Sequence, residues 1–226
     1  MLPLVLSSDS HVFEPPDLWQ TRIDAAFRDR APRIERINGG DHVVVEAAQI
    51  LSGIGLISNA GARFEAPETI SAQGRFEDVL RGGYDPEQHL KDMALDGVAG
   101  EVLYPSQGLF YFKVADTALM SAIFRAYNDW LAEFCRTDPA RLKGIAMINL
   151  DDVEDGIKEL ERTARLGLYS CAKGESLYEH CGPRQGGDRE RGAMPCPASG
   201  QWSQELSGGG RPENCRNLMR GYASRG

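Results

Sequence analysis

The sequence lacks the features that would assign it to a membrane or to nucleic acid. No stretch approaches 18 consecutive apolar residues, which is about the length that a membrane-spanning helix needs. There is no basic excess, and the formal net charge of -8 disfavours nucleic acid and anionic membranes as partners. The N-terminus has neither a basic flank nor a long apolar core, so it does not read as a signal peptide. We therefore expect a cytoplasmic protein, and homo-oligomers remain open.

Paired cysteine motifs are also missing. The chain has five cysteines, an odd number, and four of them fall in its last quarter, separated by 9, 14 and 18 residues. These spacings match neither the C-x-x-C pairs of zinc sites nor a compact disulfide framework. We expect this group, Cys171, Cys181, Cys196 and Cys215, to bind no metal.

Residues 169–226 contain no valine, isoleucine or phenylalanine. They include eleven glycines and carry a net charge of +2 (8 basic minus 6 acidic residues), whereas residues 1–168 carry -10 (17 minus 27). Such a segment buries too little apolar area to offset the entropy of ordering it. We predict a folded part at 1–168 and a low-complexity tail at 169–226 that is disordered or translated out of frame.

Strand and helix patterns alternate through residues 1–168. Apolar and β-branched runs predict the strands, and N-cap residues before apolar stripes of helical spacing predict the helices. Residues 47–83 are rich in glycine and alanine and predict a long irregular segment. The predicted elements are a strand at 3–7, a hairpin at 33–37 and 42–46, a helix at 86–95, a strand at 98–105, a helix at 116–136, a strand at 144–150 and a helix at 151–167. This order predicts an α/β fold with a helix-covered parallel sheet, either doubly wound or part of a barrel.

Asp9 and His11 form an Asp-x-His motif beside the first predicted strand. Residues two apart on an extended strand point to the same face, so the two side chains can converge on one ion. Carboxylate oxygen and imidazole nitrogen are both zinc ligands. The alternative is a structural role in which Asp9 accepts backbone N–H groups beside the proline-rich turn.

Five segments taken together and in order resemble the amidohydrolase-related family, which includes aminocarboxymuconate-semialdehyde decarboxylase and related metal-dependent hydrolases. They are SSDSHVFEPPDLW (7–19), FRDRAPRI (27–34), GGYDPEQHLKDMALDGVAGEVLYPS (82–106), RAYNDWLAEFCRTDPARLKGIAMINL (125–150) and DVEDGIKELERTARLGL (152–168). The resemblance covers about residues 4–168. It implies the N-terminal part of a (β/α)₈ TIM barrel with a β-hairpin insertion, in a chain that is truncated relative to the family.

The resemblance also implies a function. Asp9 and His11 match the family's metal motif on the first strand, which implies a divalent metal, most simply Zn²⁺. The implied activity is hydrolysis or non-oxidative decarboxylation of a small carboxylated or lactone-like substrate. The alternative is an inactive barrel fragment, because the other three histidines, His42, His89 and His180, do not match the family's later ligands.

Other side chains carry weaker expectations. Tyr104 ends a predicted strand and is expected to face the barrel mouth, where it would bind substrate. Glu14 could approach the metal, but we expect a solvated loop carboxylate instead. Phe13 and Trp19 are expected to pack the proline-rich loop. Asn128 and Asp129 interrupt the apolar stripe of the long helix and predict a solvated face.

Overall fold

The structure is a computed structural model that describes residues 4–58 and 67–170. All of them belong to one compact unit, Met1–Ala172. None of the helices among these residues is long and apolar enough to cross a membrane. The four clustered cysteines and His180 lie outside the described residues, and the division of the chain at residue 168 stays a prediction.

Seven strands and four α-helices make up the described part. The strands are β1 (Val5–Val12), β2 (Arg33–Ile37), β3 (Gly40–Val45), β4 (Ala48–Leu51), β5 (Val98–Pro105), β6 (Leu142–Ala146) and β7 (Tyr169–Ser170). The helices are α1 (Leu18–Arg22), α2 (Pro86–Asp96), α3 (Thr117–Cys135) and α4 (Val153–Arg165). Short 3₁₀ turns lie at Ala25–Arg30, Gly55–Ile57, Pro67–Thr69, Phe76–Asp78, Arg81–Gly83 and Gly108–Lys113.

A four-stranded parallel sheet holds the candidate site. Its spatial order is β1-β5-β6-β7, and α3 and α4 connect its last three strands. The described strands follow chain order without the reversal that marks the switch point of a doubly wound sheet. The prediction of an α/β fold with a parallel sheet is confirmed, and these described strands do not close into a barrel.

The predicted hairpin is part of a separate three-stranded antiparallel sheet, β2-β3-β4. Its turn places Asn38 and Gly39 at positive φ, 51° and 86°, which asparagine and glycine tolerate best. The third strand, β4, lies in the stretch predicted to be irregular, so that part of the prediction is wrong. Its register is set by pairing with the fully buried β3. This is a tertiary effect that cannot be predicted from the short sequence AQIL.

Local capping signals place α2 as predicted. The Asp85 carboxylate accepts hydrogen bonds from the backbone N–H groups of Glu87 and Gln88, and Pro86 occupies the first turn. Gly97 ends the helix at φ 71°, in the left-handed region that glycine occupies without strain. The following strand, β5, has the predicted limits.

Trp19 anchors the loop after β1 to α3. Its indole N–H donates to the carbonyl of Ile123 at 3.3 Å, and its ring packs edge-on against Tyr111 with the centroids 4.9 Å apart. Phe13 is also buried, against the Phe76 ring at 5.9 Å. The prediction that these aromatic side chains pack the loop is confirmed.

Asn128 bears on two predictions, its own exposure and the end of β6. It is fully buried, so the prediction of a solvated position is wrong. Its amide accepts from Met147 N at 2.8 Å and donates to Met147 O at 2.9 Å and to Glu159 at 2.7 Å. Because Asn128 hydrogen-bonds both the N–H and the C=O of Met147, β6 ends at Ala146 instead of continuing to residue 150 as predicted.

The first strand also differs from its prediction. It runs to Val12, five residues beyond the predicted end, so the Asp-x-His motif lies within the strand. It was expected to be buried, yet Leu4, Val5 and Leu6 are 75%, 47% and 67% exposed. β1 is an edge strand with one neighbour among the described strands, which leaves these side chains partly uncovered.

His89 forms a half-buried hydrogen-bonded pair with Glu101 instead of a metal site. Its Nε2 lies 2.8 Å from Glu101 Oε2, and its Nδ1 lies 2.7 Å from the carbonyl oxygen of Gly82. Burial lowers the pKa of His89, but the bonds to Glu101 and Gly82 outweigh it and raise the pKa above 6.5. The pair therefore stabilises the fold below about pH 6.5, and this stabilisation is lost as the pH rises through the raised pKa.

We predict that Glu101→Gln lowers the free energy of unfolding more at pH 6 than at pH 9, because only protonated His89 gains from the carboxylate. Urea unfolding at the two pH values measures the difference. Glu35→Gln, which removes an exposed carboxylate on β2, serves as the control with a small and constant effect. An equal loss for Glu101→Gln at both pH values would contradict the assignment.

Candidate metal centre

The carboxyl ends of β1 and β5 lie side by side and carry the candidate residues. In the parallel register, His11 is opposite Tyr104 and Val12 is opposite Pro105. Between Ser7 and Ser10 the register shifts, so three steps along β1 match two along β5. The pairing is therefore irregular over the stretch that contains Asp9, and irregularities of this kind re-aim side chains.

Asp9 and His11 converge as the motif predicts. His11 Nε2 lies 3.7 Å from Asp9 Oδ1, with the two side chains 41% and 67% exposed. His11 Nδ1 lies 2.9 Å from the carbonyl oxygen of Pro105. A carbonyl can only accept, so Nδ1 carries the proton when the ring is neutral, and Nε2 presents its lone pair toward Asp9.

This arrangement fits a divalent metal ion. Zinc lies about 2.1 Å from both imidazole nitrogen and carboxylate oxygen, so two ligands at the tetrahedral angle are about 3.4 Å apart. The observed 3.7 Å needs a contraction of about 0.3 Å, which is within the reach of small side-chain rotations. Metal-bound histidines also characteristically donate their other ring N–H to a carbonyl or carboxylate, as His11 does.

Two ligands are fewer than the three or four that zinc sites use. Within residues 4–58 and 67–170, no group of three or more histidine, cysteine, aspartate or glutamate side chains could hold a metal. His42 is committed elsewhere, since its ring contacts Ile37 O and the Gln49 amide in the hairpin sheet. The described residues thus bring together the two candidate ligands, Asp9 and His11, without a third.

Tyr104 is placed beside this pair. Its ring centroid lies 6.0 Å from that of His11, and the residue is half-buried. A tyrosine in this position places an aromatic ring beside His11.

Glu14 is the residue that the sequence interpretation misplaced. It is fully buried, not solvated, and its carboxylate accepts hydrogen bonds from the backbone N–H groups of Gln107 and Gly108, each at 2.9 Å. Burial raises the pKa of Glu14 to about 7, although the backbone N–H groups favour the charged form. Alternation along the strand gives no signal for this burial, because Val12, Phe13 and Glu14 are all buried and the partners of Glu14 lie 93 and 94 positions away.

Comparisons with known proteins give a structural likeness only. No protein-family model matches the sequence, and no curated protein matches it. Among solved structures, it is similar to an amidohydrolase from Mycobacterium avium subsp. paratuberculosis K-10, with 16% identity and a TM-score of 0.56 over 74% of this chain and 48% of that one. The chain therefore spans about half the length of that protein.

Two decarboxylases show a weaker likeness. A dihydroxybenzoic acid decarboxylase from Polaromonas sp. JS666, solved with manganese and 2-nitroresorcinol, has 17% identity and a TM-score of 0.41 over 75% of this chain and 38% of that one. A 2,6-dihydroxybenzoate decarboxylase from Rhizobium has 17% identity and a TM-score of 0.40 over the same fractions. The stronger likeness shows that the described part of this chain shares its fold with the matched portion of a solved amidohydrolase.

Proposed function

We propose that the chain is a metal-dependent enzyme of the amidohydrolase kind, with Asp9 and His11 as metal ligands, and that its parallel sheet is part of a (β/α)₈ barrel. The observation that carries the proposal is the His11 ring, whose Nδ1 is held by Pro105 O while Nε2 faces Asp9 Oδ1 at 3.7 Å. The position at the carboxyl ends of parallel strands supports it, because barrels of this type place their chemistry there.

The proposed reaction is hydrolysis or non-oxidative decarboxylation of a small carboxylated or lactone-like substrate in the cytoplasm. A bound divalent ion, Zn²⁺ in this proposal, would supply Lewis acidity toward a substrate or water oxygen. Asp9 contributes negative charge and His11 a neutral nitrogen, whose orientation is fixed by Pro105. Tyr104 would contact the substrate beside the pair.

We predict metal-dependent turnover of one of two substrate classes. The purified chain, loaded with Zn²⁺ or Mn²⁺, is assayed for carbon dioxide release from aromatic carboxylates and for ring opening of lactones. His11→Gln is expected to reduce the rate at least about 100-fold, because the imidazole lone pair is lost. His42→Gln, which alters a histidine of the hairpin sheet, is the matched control and should retain the rate.

A second candidate is a protein that binds metal without catalysing a reaction. It is favoured by the count of two ligands among the described residues and by the partly uncovered first strand. Turnover of either class supports the enzyme, whereas Mn²⁺ binding that His11→Gln abolishes, without turnover of either class, supports the second candidate.

A further inference from the structure

Glu14 connects the loop after β1 to the loop after β5 through both carboxylate oxygens and its backbone carbonyl. Its Oε2 accepts from Gln107 N and its Oε1 from Gly108 N, both at 2.9 Å. In return, the Gln107 side-chain amide donates to the backbone carbonyl of Glu14 at 2.7 Å. Three buried hydrogen bonds therefore join the carboxyl ends of the two strands.

The loop held by Glu14 is the one that orients His11. Pro105, whose carbonyl oxygen accepts from His11 Nδ1, lies two residues before Gln107. The loop is also tightly packed, since a Cβ on Gly108 would come within 2.7 Å of Pro105 Cβ and 2.6 Å of Met147 Sδ. A shift at Gln107 and Gly108 would therefore be passed to Pro105 and to the ring it holds.

We propose that Glu14 is a positioning residue: by gripping Gln107 and Gly108 it fixes the Pro105 carbonyl, and through it the tautomer and orientation of His11. The catalytic meaning of this role rests on the proposed function, in which His11 is a metal ligand. The effect of Glu14 on the orientation of His11 does not rest on the proposed function, because it concerns contacts within the protein alone.

The grip depends on the charge of Glu14. The carboxylate accepts at both oxygens, whereas a protonated carboxyl carries a hydrogen on one of them and is a weaker acceptor there. Tyr111 and Tyr127 are the titratable side chains that interact with it electrostatically, and their pKa values are raised by burial and further by Glu14. With a pKa of about 7 for Glu14, the two N–H groups are held more firmly as the pH rises through neutrality.

Glu14→Gln tests the proposal because it keeps the size of the side chain but turns one acceptor into a donor that opposes a backbone N–H. Long-range ¹H–¹⁵N NMR of neutral histidine rings reports the tautomer, and His11→Gln assigns the signal. In the wild type we expect His11 in the Nδ1–H form. In Glu14→Gln we expect a mixture of tautomers, and a Mn²⁺ dissociation constant raised about 10-fold or more.

Glu101→Gln is the matched control, since it neutralises a half-buried glutamate on β5 that pairs with His89. It should leave the tautomer of His11 unchanged. An unchanged tautomer in Glu14→Gln, or an equal change in both variants, would overturn the inference. If the wild type binds no Mn²⁺, the proposed function fails, while the tautomer result still decides the role of Glu14.

A wild-type measurement covers the case in which Glu14→Gln does not fold. Hydrogen exchange at the Gln107 and Gly108 amides, corrected for the intrinsic pH dependence, should show rising protection between pH 6 and pH 8. Exchange at both amides as fast as in the unfolded chain at every pH in this range would overturn the inference.

Discussion

Replacing Asn128 with alanine is expected to lower the free energy of unfolding by about 3 kcal/mol. The side chain makes three buried hydrogen bonds, two to the backbone of Met147 and one to Glu159. Alanine leaves Met147 N–H and C=O without these partners, and an unsatisfied buried group costs about 1–3 kcal/mol. Chemical denaturation at constant pH measures the loss.

Gln20→Ala is the control for the Asn128 variant. It also removes a side-chain amide, but one that is half-buried and makes a single long hydrogen bond of 3.4 Å to Pro32 O. We expect a change of less than about 0.5 kcal/mol there. A loss below about 1 kcal/mol for Asn128→Ala would show that Met147 finds other partners and that its hydrogen bonds with Asn128 are not needed to end β6.

Replacing His11 with glutamine is expected to weaken Mn²⁺ binding at least about 100-fold. The amide cannot offer the imidazole lone pair, and even the loss of a residue that only orients a ligand costs 10- to 100-fold in affinity. Mn²⁺ is the suitable probe because cysteine sulfur, of which the chain has five side chains, favours zinc instead. Isothermal titration calorimetry measures the dissociation constant.

Asp9→Asn and His42→Gln complete that experiment. Asp9→Asn keeps the shape but removes the charge of the second proposed ligand, so binding should weaken as well, whereas His42→Gln should bind like the wild type. Equal affinity in all variants would place the ion elsewhere on the chain.

Several elements could be predicted from the sequence because their signals are local. Asp85 caps the first turn of α2, Gly97 ends it, and Asp116 caps α3 one residue before its start. Each signal acts within about four residues, so no tertiary information is required. The β-rich run of β5, between Gly97 and the turn after Pro105, was predicted to the residue for the same reason.

The errors on buried polar side chains involve partners that are distant in sequence. Asn128 is buried because Met147 and Glu159 supply its hydrogen bonds. Glu14 is buried because the backbone N–H groups of Gln107 and Gly108 donate to its carboxylate. The composition of a short window predicts exposure for such polar side chains, whereas satisfied hydrogen bonds permit burial.

The candidate site was predictable in part. The i, i+2 spacing of Asp9 and His11 predicts convergence, and the structure brings them together. The contact of His11 with Pro105 could not be predicted, because the two residues are 94 positions apart and meet only through the register of two strands. Further ligands were not identified from the sequence.

Pulsed electron paramagnetic resonance of bound Mn²⁺ tests the central claim most directly. With histidine labelled by ¹⁵N, the wild type should bind one ion that is coupled to a nitrogen nucleus, and His11→Gln should lose that coupling while His42→Gln keeps it. A bound ion without nitrogen coupling, or a coupling that survives in His11→Gln, would contradict the assignment of His11 as a metal ligand.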